Sequence, residues 1–312
     1  MAVDTKLSAG LEAKVRLTPT PRRRVVDTLA PYLFISPFIV SFMVLFVGPA
    51  VYSLVLSFYR YKGYGEAKFI GLQNYLATVN YHVFWTAVGN TVFYWLAHVV
   101  PLMVIAFLLA VLVRSRFVAF KGIFKPILFL PNIVAVVAAS LVFQNLFGTQ
   151  YGVINSLLGL QVPWLQDPTL AKVVVVALLV WKNVGFWFVV FLAGLTSVNP
   201  EVDDAARVDG ATASQRMFYV TLPLMRPIFL FAFVIDAIGS FQLFTEPNVI
   251  LGRGGTLAPP DTAPLLNLLV VNLRSGNFGQ ASAVSWLLCI IIAAASIIQF
   301  RLFRERDEEA KR

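Results

Sequence analysis

The sequence predicts an all-α integral membrane protein of six transmembrane helices, and three observations carry that class. Of its residues, 58% are hydrophobic and 13% charged, roughly half the charge of a soluble domain. Residues 28–59, 69–113, 126–166 and 275–300 contain no Asp, Glu, Lys or Arg, whereas about 20 mostly apolar residues suffice for one helical span. The apolar residues also run continuously. A membrane barrel would show them alternating along each strand.

The elements follow in chain order. Residues 1–30 form a polar, basic tail with no short apolar core of their own, so no cleavable signal peptide is expected. Residues 31–302 are expected to form one membrane domain, with helices at about 31–58, 86–113, 124–147, 172–197, 227–248 and 280–302. A second tail, 303–312, ends the chain. Eighteen Lys and Arg residues fall in the two tails and in the second-to-third and fourth-to-fifth connections, against six in the other connections. The positive-inside rule therefore puts both termini and residues 197–226 in the cytoplasm. The net charge of +9 is read as this topology signal, with no nucleic-acid partner implied.

The connections differ in character. Residues 60–85, 148–170 and 249–279 are long for simple turns and are expected to pack as short helices or caps on the outer side. They form either an ordered surface or a landing platform for a partner outside the membrane. Residues 114–125 mix Arg and Lys with Phe117, Phe120 and Phe124, a composition that lies along the inner lipid surface. Pro101, Pro126 and Pro131 are expected to kink their spans.

The connection from 199 to 227 is the most organised. Asn199 can cap a helix that starts at Pro200, with Glu201 and Asp203 placing negative charge in its first turn. Gly210 offers a stop, Thr212 with Gln215 forms a capping box for a second short helix, and Pro223 is expected to end it. A capped helix–Gly–helix facing the cytoplasm is a docking device. The bland alternative is a solvated loop whose acids and arginines merely pair.

Asp204-Ala205-Ala206-Arg207-Val208-Asp209-Gly210-Ala211, followed by Leu222-Pro223, closely resembles the EAA motif of permease subunits in binding-protein-dependent ABC importers. Phe69-Ile-Gly-Leu-Gln-Asn-Tyr75, Asn90-Thr91, Asn155, Trp164-Leu165 and Leu192-Ala-Gly-Leu195 are similar to the carbohydrate-uptake branch. Two departures stand out. Asp204 replaces the usual Glu, and Leu251-Gly252-Arg253-Gly254-Gly255-Thr256 stands where Thr-x-Gly-Gly-Pro is common. The resemblance implies the type I ABC importer permease fold, in a bacterial inner or plasma membrane. It implies an ATPase-coupling surface at Glu201, Asp204, Ala205, Ala206, Asp209, Gly210, Ala211 and Pro223. It also implies a second permease subunit forming a heterodimer, two nucleotide-binding subunits and an extracellular or periplasmic binding protein. No Gly-x-x-x-x-Gly-Lys-Ser/Thr loop occurs in the chain, so ATP and Mg are expected on the partner subunits and no enzymatic activity in this one.

The substrate path is expected where polar groups interrupt the spans, because ionisable residues in a bilayer face a bundle interior or a wet cavity. Lys182 and Asp236 fall near mid-membrane at ~1.5 Å rise per residue, with Trp181, Asn183, Ser240, Gln242 and Trp286 near them in depth. Aromatic faces with amides and hydroxyls suit a sugar. The competing reading makes Lys182 and Asp236 an interhelical ion pair and the tryptophans packing. His98 is expected as a satisfied buried residue, and with His82 and Cys289 as the only other candidates a metal centre is not expected. Other cargo remains open, such as a glycerophosphodiester or polyol. An ion-coupled secondary transporter would use Asp236, but it leaves residues 199–223 unexplained.

Overall fold

A computed structural model describes residues 21–115, 121–252 and 255–309. Phe117, Phe120, Arg253, Gly254, Lys311, Arg312 and the basic residues before Pro21 lie outside them. The chain divides into a first unit, Met1–Ser53, and a second, Leu54–Arg312.

In the first unit the chain is helical from Pro21, and the apolar run α1 (Leu29–Leu56, 28 residues) is long enough to cross a membrane. Its one irregularity is a π-helical turn at Met43–Val47, closed by Gly48 N–H donating to the Met43 carbonyl. Pro49 follows directly and has no N–H to give, so the widened turn absorbs the missing bond.

The second unit opens with a two-stranded antiparallel ribbon, β1 (Tyr59–Arg60) and β2 (Lys68–Phe69), in the register Tyr59↔Phe69. The short helix α2 (Gln73–Val79) follows, and Asn74 ties it back through amide bonds to the carbonyls of Ser57 and Tyr59. Next comes α3 (His82–Arg114, 33 residues), which continues through Pro101. It packs along α7 (Pro168–Ser197, 30 residues), whose start is fixed by the Asp167 carboxylate accepting from the Thr169 and Leu170 N–H groups. Leu102, Ala106, Ala110 and Val113 recur at helical spacing on one face of α3. They meet Trp187, Phe188, Phe191 and Leu195 of α7.

Helices α1, α3 and α7, with α13 (Phe278–Glu309), match four predicted spans with ends within four residues, taking the apolar part of α13 as Phe278–Phe303. The third and fifth spans differ from expectation. Residues 124–147 are not one helix. They are α4 (Lys121–Ile133) and α5 (Val136–Leu146), which meet at 90°. The helix runs through Pro131 and breaks only after Ile133, and at the break the carbonyls of Asn132 and Val134 accept from the Lys182 ammonium at 3.2 and 3.1 Å.

The predicted fifth span, 227–248, ends early. Helix α9 (Ala213–Leu224) bends by 60° into α10 (Arg226–Phe241). The chain then turns through Gln242–Phe244 into the separate helix α11 (Thr245–Leu251). The turn is closed by i→i−3 bonds from Gln242 and Leu243 to Gly239 and Ser240, and Pro247 sits in the first turn of α11, where its missing N–H costs nothing.

The long connections do form short helices: α2, α6 (Val153–Leu158), α11 and α12 (Leu265–Arg274). Carboxamides staple them to the spans. Gln144 of α5 donates to the carbonyls of Val249 and Ile250 in α11, and Asn90 of α3 donates to Pro260 and Ala263. Gly185 is required by packing. A Cβ on Gly185 of α7 would lie 2.0 Å from the Leu128 carbonyl oxygen, so only glycine lets α4 cross so closely.

Candidate functional site

Residues 199–227 fold into a capped helix pair. In α8 (Pro200–Val208) the Asn199 carboxamide accepts from the Glu201 N–H at 3.0 Å, and Glu201 and Asp203 occupy the first turn. Gly210 sits at φ +81°, with Gly210 N–H donating to Arg207 and Ala211 N–H to Ala206. These two bonds close the helix by the left-handed glycine ending. The capping box then opens α9, with Gln215 N–H to Thr212 Oγ1 at 3.3 Å and Thr212 N–H to Gln215 Oε1 at 2.8 Å.

A further contact joins the two helices. Arg216 Nε of α9 donates to Asp203 Oδ1 of α8 at 3.0 Å, and its guanidinium also reaches the Ala211 carbonyl. The sequence reading saw a first-turn acid in Asp203 and a topology charge in Arg216, and missed that they bolt the pair together. Pro223 does not end α9. A π-helical turn at Met217–Thr221 precedes it, and the helix continues to Leu224 before the 60° bend.

Glu201, Asp204, Ala205, Asp209 and Gly210 are exposed, while Ala206, Ala211 and Pro223 are half-buried. Apolar side chains stand out among them: Val208 is 87% exposed, Tyr219 79% and Phe218 65%. The Asp204–Arg207 pair at 3.6 Å is exposed and lies within one helix, so it adds little.

The second region is a cavity of about 360 Å³ between α3, α7, α10 and α11. Four of the path candidates line it: Asn183, Asp236, Ser240 and Gln242. Phe186, Trp187 and Phe244 supply aromatic walls, and Thr245 and Glu246 complete the polar side. Trp181, Lys182 and Trp286 do not line it. Trp181 is exposed and packs on Phe143, with ring centroids 5.6 Å apart.

The Lys182–Asp236 pair of the competing reading does not form. Lys182 is held by the carbonyls at the α4–α5 break, and Asp236 meets His98 of α3, with Nε2 3.2 Å from Oδ2. His98 is 2% exposed and Asp236 8%. His98 Nδ1 lies 2.8 Å from the Tyr94 carbonyl, which can only accept, so Nδ1 carries a hydrogen. His98 Nε2 also lies 3.3 Å from the other carboxyl oxygen, Oδ1. Ser240 Oγ donates to the Asp236 backbone carbonyl at 2.6 Å. Glu246 was missed although it falls inside the predicted fifth span, and an ionisable residue at that depth is itself the signal. Among the described residues no cluster of His, Cys, Asp and Glu could hold a metal ion.

The sequence profile described as the inner membrane component of binding-protein-dependent transport systems matches residues 75–305. The chain belongs to that family. This permease is 32% identical to the lactose transport system permease protein LacF of Rhizobium radiobacter, over 88% of this chain and 94% of LacF. It is 35% identical to the arabinooligosaccharides transport system permease protein AraP of Halalkalibacterium halodurans, over 90% of each chain. Among solved structures, a bacterial ABC transporter involved in alginate import superposes with a TM-score of 0.77, covering 90% of this chain and 98% of the other at 19% identity. That likeness establishes the type I importer permease fold. This permease is thus a membrane component of an ABC importer. It provides the passage and is not itself an enzyme, ATP being hydrolysed by separate subunits.

Proposed function

We propose that this permease passes a sugar or oligosaccharide, delivered by an extracellular binding protein, through the cavity between α3, α7, α10 and α11. We propose also that the α8–α9 pair seats in an ATPase subunit, in an assembly with a second permease subunit and two ATPase subunits that hold ATP and Mg. One observation carries the mechanism. The two helices that bracket the coupling pair, α7 and α10, are the same two that contribute Asn183, Trp187, Asp236 and Ser240 to the cavity.

A force applied to α8–α9 is therefore applied to both walls. The Asp203–Arg216 bolt and the glycine ending make the pair move as one body. Closure of an ATPase dimer would bias α7 and α10 towards one arrangement, and hydrolysis would release them, a shift of population driven by differential binding. With α8–α9 on the ATPase side, both termini are cytoplasmic. The cavity's amides, hydroxyl groups and aromatic walls match a sugar's rim of hydroxyls and its apolar ring faces. The cargoes in the names of LacF and AraP, lactose and arabinooligosaccharides, support the same class.

The test is uptake into proteoliposomes holding the full complex and its binding protein. Accumulation of a saccharide should require ATP inside the assembly's ATPase compartment. Accumulation driven by a proton gradient without ATP would overturn the reading.

A further inference from the structure

Three ionisable side chains face the cavity: His98, Asp236 and Glu246. His98 and Asp236 face each other, Nε2 lying 3.3 Å from Oδ1 and 3.2 Å from Oδ2, with Nδ1 directed to the Tyr94 carbonyl. Glu246 is different. It lies in the first turn of α11, half-buried, where burial raises the cost of its charge and its own backbone N–H, Lys182 and His98 offset part of that cost.

No Lys or Arg among the described residues lines the cavity. Lys182 acts on Glu246 through space, but its ammonium is directed to the carbonyls of Asn132 and Val134 and does not line the chamber. The neighbouring donors and acceptors, Asn183, Ser240, Gln242 and Thr245, are uncharged.

We propose that Glu246 is a specificity-determining residue that makes this cavity select uncharged saccharides and reject those bearing a carboxylate or phosphate. This rests on the saccharide reading above. A carboxylate accepts hydrogen bonds only, and its two oxygens can take the adjacent hydroxyls of a sugar. An anionic cargo brings a second negative charge into a partly desolvated chamber with no Lys or Arg among the described residues of its lining to pair with it. The rejection therefore has both elements of specificity: attraction for the hydroxyl pair and a built repulsion against the competitor.

The test uses the full complex of this permease, its second permease subunit and its ATPases in lipid nanodiscs, without the binding protein. The binding protein's own selectivity then does not enter. Lactose, maltotriose and arabinotriose are each compared with the aldonate made by oxidising the reducing end, and dissociation constants are read by ligand-observed NMR titration. At least one neutral sugar should bind roughly tenfold tighter than its aldonate, equivalent to about 1.4 kcal/mol. Glu246→Gln, checked for folding by co-purification with the ATPases, should shrink that ratio to about threefold or less.

Equal binding of the neutral and charged members in the wild-type complex would overturn the proposal, and so would an unchanged ratio in Glu246→Gln. Either result leaves the saccharide reading standing. If none of the sugars or aldonates binds while glycerol 3-phosphate does, the saccharide reading itself falls, and this one with it.

Discussion

Asp236 shows how one substitution separates structure from transport. Its partner is His98, which is almost fully buried, so Asp236→Ala leaves an imidazole nitrogen with no partner inside the bundle. The expected loss is about 1–3 kcal/mol of stability, the cost of an unsatisfied buried polar group. Asp236→Asn keeps a carboxamide within reach of Nε2 and should melt closer to wild type. The check is the thermal unfolding midpoint of the purified complex for both variants, and equal losses would contradict the pairing. Gly185→Ala makes a second residue-scale prediction. Its Cβ would stand 2.0 Å from the Leu128 oxygen, a backbone atom that cannot swing aside. Parting α4 from α7 should cost about 1–3 kcal/mol and loosen Lys182 from the α4–α5 break, visible as faster hydrogen exchange at residues 130–135. Composition could single out Lys182 and Asp236 as polar groups at membrane depth. It could not pair them, because the partners lie 50 and 138 residues away along the chain.

At the scale of elements, the α8–α9 pair was legible almost to the residue. Asn199, Pro200, Gly210, Thr212 and Gln215 act locally, and each does in the structure what its chemistry dictates. The bolt across the pair was not legible, since Asp203 and Arg216 meet only once Gly210 has turned the chain. Arg216→Glu should therefore uncouple ATP hydrolysis from uptake while costing only ~0.2–1 kcal/mol of stability, as a partly exposed ion pair does. Adding Asp203→Arg restores the pair with its sign reversed and should recover coupling. If the double variant is no better than Arg216→Glu, the ion pair is not what holds the knob. Gly210→Val forces a β-branched residue to φ +81°, a strain of about 1–2 kcal/mol. Co-isolation of the ATPase subunits should fall with it. The broken third and fifth spans were read as continuous because composition gives the length of an apolar run and not its path. Pro131 and Pro247 supplied local hints, but the 90° turn is held by a lysine from another helix.

For the whole molecule, α7 and α10 join the α8–α9 pair to the cavity, so a substitution at one end should be felt at the other. Saccharide bound in the cavity should change the ATPase rate of the full complex. Arg216→Glu should remove that response without changing saccharide affinity, as measured by NMR titration beside an ATPase assay. The sequence by itself determined the solvent, the number of apolar runs and the caps of the α8–α9 pair. These follow from composition and from interactions a few residues long. The tertiary structure alone decided that Asp236 answers His98, that Lys182 closes a helix break, that Glu246 faces the chamber and that Trp181 does not. Those outcomes depend on which faces of distant helices meet. A hydropathy pattern fixes how deep a residue lies in the bilayer, but not the direction in which its side chain points.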